Sequence, residues 1–148
     1  MVNDLSHAPS APDATAKRLG GGSLGEKMGL EIVELTIDRA VATMPVEGNT
    51  QPMGIMHGGA YVVLGESLGS MSANLHAGPG RYAVGIDINA THTGSATSGI
   101  VTGVCTPVHL GRSLAVHEIA ITSLELPEFN SGKLFKDMRD LKLCYDQS

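Results

Sequence analysis

Tryptophan is absent from this 148-residue chain, and aromatic residues make up only 3% of it. Large rings therefore cannot fill the interior. Nineteen glycines suggest that close backbone approach does so instead, as where a helix presses on a sheet. Cysteine is scarce: Cys105 and Cys144 stand apart with no CxxC spacing. That excludes a disulfide framework and a zinc site, and makes a reducing cytoplasm the simplest compartment. There is no basic surplus. Ten Lys and Arg face fifteen Asp and Glu, for a net charge of −5, which argues against a general nucleic-acid binder. The opening MVNDLSHAPSAP has no basic n-region and no apolar h-region, so it does not read as a secretory signal. No internal repeat is visible. One stretch, Gly54 to Leu75, is long enough to cross a bilayer, but it contains His57, Glu66 and Asn74 among many small residues and lacks a basic flank. A membrane role is excluded on that ground.

What is present is a globular composition, 42% hydrophobic, of a length that suits one domain with a real core. Residues 1–19, rich in Ser, Ala, Pro and Asp, read as a disordered N-terminal tail, and residues 20–148 as a single domain. Leu24 to Met28 suits a short helical turn. Leu30 to Ile37 and Ala40 to Val46 read as a hairpin turning at Asp38-Arg39. A long helix is expected after His57. Gly78-Pro79-Gly80 breaks it, and Tyr82 to His92, Ile100 to Val108 and Leu114 to Thr122 read as strands. A turn is expected over Pro127 to Gly132. The C-terminal segment is ambiguous, because Leu134, Met138, Leu141 and Tyr145 have helical spacing while Leu141, Leu143 and Tyr145 also suit a strand. The order implies an α+β domain, an antiparallel sheet of about five strands wrapped around one long buried helix.

That helix organises the chain. In QPMGIMHGGAYVVLGESLGSMSANLH, residues Gln51 to His76, apolar residues fall on every face and Glu66 is the one formal charge. A helix without a polar face needs cover on all sides, which points to a homo-oligomer. A carboxylate there is expected to be desolvated and to need a reason for being there. Gly58 and Gly59 open the helix, where free N–H groups and the positive dipole end suit an oxyanion. Ser70 lies one turn after Glu66 on the same face. His57, taken alone, suits an N-cap or the surface.

Four segments carry a resemblance to the hotdog-fold acyl-CoA thioesterases, and to their aryl-CoA branch in particular. They are ATMPV (Ala42 to Val46), QPMGIMHGGAYVVLGESLGS, NATH (Asn89 to His92) and GVCTPVHLGR (Gly103 to Arg112). The branch includes the 1,4-dihydroxy-2-naphthoyl-CoA, 4-hydroxybenzoyl-CoA and phenylacetate-pathway thioesterases. The resemblance implies hydrolysis of an acyl-CoA to free acid and CoA, with no cofactor and no metal, since CoA is part of the substrate. It implies Glu66 as general base or nucleophile, Gly58 N–H and Gln51 polarising the carbonyl, His57 beside the reacting group, and Ser70 positioning Glu66 or water. It assigns CoA contacts to Gly85, His92, Thr93, Gly94 and Ser95 and to the turn His109, Leu110, Gly111, Arg112, Ser113 and Leu114. Arg112 would meet phosphate, and His92 would reach in from a neighbouring subunit. The assembly implied is a dimer of dimers, without nucleic-acid or membrane partners. Two departures stand out: Gly94 lies where relatives carry arginine, and residues 133–148 do not follow the usual last strand. The alternative reading is a non-catalytic acyl-CoA-binding domain, which would not need Glu66.

Overall fold

The computed structural model describes residues 21–123 and, as backbone, residues 139–147. The expected N-terminal tail and the turn over Pro127 to Gly132 lie outside the described residues. A short helix, α1 (Gly22–Lys27), leads into β1 (Glu31–Leu35) and β2 (Ala40–Pro45). The long helix α2 (Gly58–Ala77) follows, and then β3 (Ala83–Ala90), β4 (Ile100–Leu110), β5 (Leu114–Thr122) and β6 (Arg139–Gln147). All neighbours pair antiparallel in one six-stranded sheet of order β1-β2-β4-β5-β6-β3. The count exceeds the five expected because 139–147 forms a strand. It fills the place between β5 and β3, which no local pattern could indicate.

The core lies between α2 and the inner face of the sheet. On β5 the alternation is regular: Ala115, His117, Ile119 and Ile121 are buried, and the residues between them are not. On β2 and β4, Met44, Val101 and Cys105 join them, and from the helix Leu64 and Leu68 are fully enclosed. Leu64 and Leu68 meet the backbone of β4 at Gly103. A Cβ there would sit 2.7 Å from Leu68 Cδ1 and 3.3 Å from Leu64 Cγ. Helix and sheet approach more closely than any side chain at 103 allows, which is how a core without large rings reaches normal density.

Three strand pairs carry a register shift, the first between Ile32 and Glu34 in β1–β2. The β4–β5 register shifts between Pro107 and His109, where proline has no N–H to give to the ladder. The β3–β6 register shifts between Gly85 and Asp87. β3 is a sheet edge, and Val84, Ile86 and Ile88 on it are exposed at 48%, 59% and 36%.

The helix does not have the all-round burial expected from its sequence. Ala60, Tyr61, Leu64, Leu68, Met71 and Ala73 are buried, but Val62, Val63, Glu66, Ser67, Ser70 and Asn74 remain half-exposed. One sheet covers one side of a helix, and among the described residues the other side stays partly open.

Candidate active site

The loop before α2 is fastened at both ends. The backbone N–H of Gln51 bonds to the Ile55 carbonyl at 2.8 Å, and that of His57 to the Asn49 carbonyl at 2.8 Å. Asn49 itself is buried. Its Nδ2 donates to the carbonyls of Met28 at 2.8 Å and Pro45 at 2.9 Å. Met56 N–H reaches Ala96 O at 2.8 Å, which brings the segment after β3 to the same end of the helix. Gln51, His57, Gly58, and the run His92, Thr93, Gly94 and Ser95 are thereby gathered around the N-terminus of α2.

His57 is the N-cap. Its backbone is extended (φ −66°, ψ 134°) and its Nδ1 accepts the Gly59 N–H at 2.8 Å. That contact fixes Nδ1 as the unprotonated nitrogen. It also consumes one of the two N–H groups expected to be free. Gly59 is committed to the cap, and Gly58 alone keeps an N–H without a partner among the described residues. Over Gly58 lies His92, whose Nε2 is 3.3 Å from where a Cβ would stand. The Tyr61 ring supports His92, with centroids 5.7 Å apart. His92 therefore lies over the Gly58 position of its own chain.

Glu66 belongs to a second cluster. It accepts from Ser70 Oγ at 3.1 Å, through Oε1. The same oxygen lies 2.8 Å from where a Cβ on Gly85 would be. Gly85 thus leaves the room that the carboxylate occupies. Asn74 sets the distance between strand and helix. Its Oδ1 accepts the Ala83 N–H at 3.0 Å, and its Nδ2 donates to the carbonyls of Ala83 at 3.1 Å and Ser70 at 2.8 Å. A strand start is thereby tied to the helix two residues before Gly85.

These clusters are well separated. Eight residues of α-helix rise about 12 Å, so Gly58 and Glu66 of one chain cannot both touch one carbonyl group. The third group, His109 to Leu114, lies at the far end of α2, where His76 Nε2 meets Gly111 O at 3.0 Å. Arg112, Ser113 and Leu114 are exposed there.

Behind the site, two buried groups have shifted protonation. His117, fully enclosed on β5, is pushed down to about 4 by burial, assisted by the charge of His76. Cys105 is pushed up to about 11 by burial, partly offset by a hydrogen bond from Ser72. A thiol so protonated is inert as a nucleophile. Among the described residues no three His, Cys, Asp or Glu side chains come close enough to hold a metal ion. No helix among them is long and apolar enough to cross a membrane.

A long helix laid on an antiparallel sheet, with a Ser70-bonded carboxylate on its half-exposed side and an N–H at its start without a partner among the described residues, has the arrangement of a hotdog fold. The comparisons agree. Residues 53–128 match the thioesterase superfamily, and the chain belongs to it. Over 101 residues it is 46% identical to the proofreading thioesterase EntH of Cronobacter turicensis, covering 68% of this chain and 74% of that one. Over 104 residues it is 42% identical to the 1,4-dihydroxy-2-naphthoyl-CoA hydrolase of Escherichia coli, covering 70% and 76%. The crystal structure of a Haemophilus influenzae thioesterase superposes with a TM-score of 0.77 at 32% identity, over 95% of this chain and 92% of that one.

Proposed function

We propose that this thioesterase hydrolyses an acyl-CoA to free acid and CoA, at a site shared between two copies of the chain. The observation that carries the reading is the division of the site. A carboxylate on the open side of α2 has a hydroxyl partner and a glycine-lined gap beside it. The matching oxyanion donor lies about 12 Å up the same helix. Two chains related by a two-fold axis, with their helices antiparallel, would bring the Gly58 of one to the Glu66 of the other. The edge strand β3 supplies the means. Among the described residues it has an unpaired backbone edge, with Val84, Ile86 and Ile88 exposed, and pairing with a second β3 would cover both. The half-exposed stripe of α2 would be covered in the same step, which supports a homodimer and allows a dimer of dimers.

In the reaction, Gly58 N–H with the Gln51 amide polarises the thioester carbonyl. Glu66 of the partner chain attacks it directly or takes a proton from the attacking water, and Ser70 holds the carboxylate in place. The tetrahedral intermediate collapses with loss of the CoA thiolate, giving the free acid at once when water attacked, or an anhydride with Glu66 that water then hydrolyses to the free acid and the carboxylate. The turn His109 to Leu114 holds CoA, with Arg112 on phosphate. An aryl acyl group is favoured by the relative whose name specifies a naphthoyl-CoA. Free-thiol release over benzoyl, naphthoyl and aliphatic CoA esters tests the proposal. Turnover with an aryl preference is expected. Absence of turnover on every ester, with CoA still bound, would make the protein a binding domain.

A further inference from the structure

The hydrolytic mechanism gives Asn74 no part, yet its side-chain amide is bonded three times. Oδ1 accepts the Ala83 N–H at 3.0 Å, and Nδ2 donates to the Ala83 carbonyl at 3.1 Å and to the Ser70 carbonyl at 2.8 Å. Towards Ala83 the amide acts as a neighbouring strand would, giving one acceptor and one donor. The third bond keeps the side chain against its own helix. Reversing the amide would set Nδ2 against an N–H and Oδ1 against two carbonyls, so a single orientation satisfies all three. The connection from α2 to β3 is held again at Arg81, whose Nη2 donates to the Arg112 carbonyl at 2.6 Å. That contact ties the connection to the β4–β5 turn, whereas the Asn74 clamp fixes where β3 begins.

β3 is interrupted close to that clamp. Ala83, Val84 and Gly85 pair with Gln147, Asp146 and Tyr145 of β6, but Asp87 pairs with Cys144. Ile86 is the extra residue, a bulge that locally breaks the ladder. The first three residues of β3 therefore stand in a register different from the rest of the strand, and the clamp on Ala83 holds their start. Gly85 is the third of them. The Glu66 carboxylate fills the space beside it, with Oε1 2.8 Å from where a Cβ would stand. Ser70 Oγ donates to the same oxygen at 3.1 Å. The contacts close into a circuit: Glu66 to Ser70, the Ser70 backbone to Asn74, Asn74 to Ala83, and along the strand to Gly85 beside Glu66.

We propose that Asn74 is a positioning residue for Glu66: its clamp on Ala83 places Gly85, and Gly85 bounds the carboxylate on the side that faces β3. The inference rests on the hydrolytic reading above. Without the clamp the start of β3 shifts against the helix. A gap or a clash at Gly85 then turns the carboxylate, while the helix N-terminus and the β4–β5 turn keep their places. The expected signature is a loss in kcat without a matching rise in KM.

A double-mutant cycle on the full-length oligomer tests this, with the acyl-CoA that wild type turns over best as substrate. Asn74→Ala removes all three bonds and should lower kcat about 10- to 100-fold, the cost of a misplaced reacting group, with KM within about twofold. Asn74→Asp still accepts the Ala83 N–H but turns an oxygen towards two carbonyls, and should lower kcat by a similar factor. In a Glu66→Gln background no base remains to be misplaced, so Asn74→Ala should leave the residual turnover within about twofold. Two losses that multiply in full would overturn the proposal, because a merely structural residue lowers turnover in both backgrounds alike. So would wild-type kcat in Asn74→Ala, or loss of folding in both Asn74 variants, which would assign the amide to stability alone. Near-wild-type turnover by Glu66→Gln would sink the catalytic role of Glu66 and this inference with it. A slow Glu66→Gln beside an Asn74→Ala as fast as wild type would sink this inference alone.

Discussion

Two individually inactive variants should restore each other. Gly58→Pro removes the one N–H that the N-cap leaves without a partner. Position 58 is the first residue of the helix, where proline is tolerated, and the extended His57 before it (φ −66°, ψ 134°) is the conformation a following proline requires. The new ring must displace His92 slightly, since Nε2 lies 3.3 Å from the Cβ position. Loss of one oxyanion donor should cost about 10²- to 10³-fold in kcat. Glu66→Gln removes the base or nucleophile. Within one helix the two positions are about 12 Å apart, whereas an oxyanion donor and an attacking group must both lie about 3 Å from one carbonyl group. If the site is shared, a dimer containing one chain of each variant has one wholly intact site and one doubly damaged site. Random assortment makes half the dimers mixed, so co-expression should recover roughly a quarter of wild-type activity against a background of about 1% or less. Hydrolysis by the co-expressed oligomer is the assay. Activity no higher than that of the separate variants would refute the shared site.

Three further outcomes follow from the packing. Gly85→Ala should lower kcat by at least about tenfold with a retained melting temperature, since its Cβ would fall 2.8 Å from Glu66 Oε1 and push the carboxylate off its position; unchanged kcat would show that Glu66 has slack. Gly103→Ala should destabilise by about 1–3 kcal/mol in denaturant midpoints, because Leu68 Cδ1 at 2.7 Å must move within a closed core; no change would mean the helix can ride up. His117 should make stability fall in acid. Its folded value of about 4 lies below the ordinary 6.5, so the unfolded chain binds the proton first. The stability is complete above about pH 6.5 and declines toward pH 4, by about 2–3 kcal/mol in all. Folding free energies measured across that window should lose this slope in His117→Phe, and an equal slope would place the acid sensitivity elsewhere.

The helix and the strands β2, β4 and β5 were readable in the sequence because each carries a local signal: Gly-Pro-Gly after the helix, β-branched runs, and the alternation from Ala115 to Ile121. The composition also foretold the close helix–sheet contact found at Gly103. What pairs across long distances was not readable. β6 between β5 and β3 is a matter of topology, and both helical and strand spacing fit its residues. The site was legible in its residue types and less so in its arrangement. Glu66 with Ser70 follows from helix period. That Gly85 makes space for Glu66 depends on where β3 lies, which Asn74 fixes through Ala83, and Asn74 gave no sign of this. Gly58 and Gly59 looked equivalent until the His57 ring took one N–H. Asn49, His76 and Arg81 act on backbone carbonyls far along the chain, a kind of contact no motif records. His117 showed only as a histidine on an apolar face, the one ionisable residue in the inward alternation of β5.

The most direct measurement is hydrolysis by Glu66→Gln of the acyl-CoA that wild type turns over best, together with substrate binding and melting temperature. The substitution keeps shape and the Ser70 contact while removing base and nucleophile alike. Turnover should fall about 10²- to 10⁴-fold, with binding retained and folding at least as stable. Near-wild-type turnover would contradict the account at its centre, and loss of folding along with activity would make Glu66 an anchor of the core.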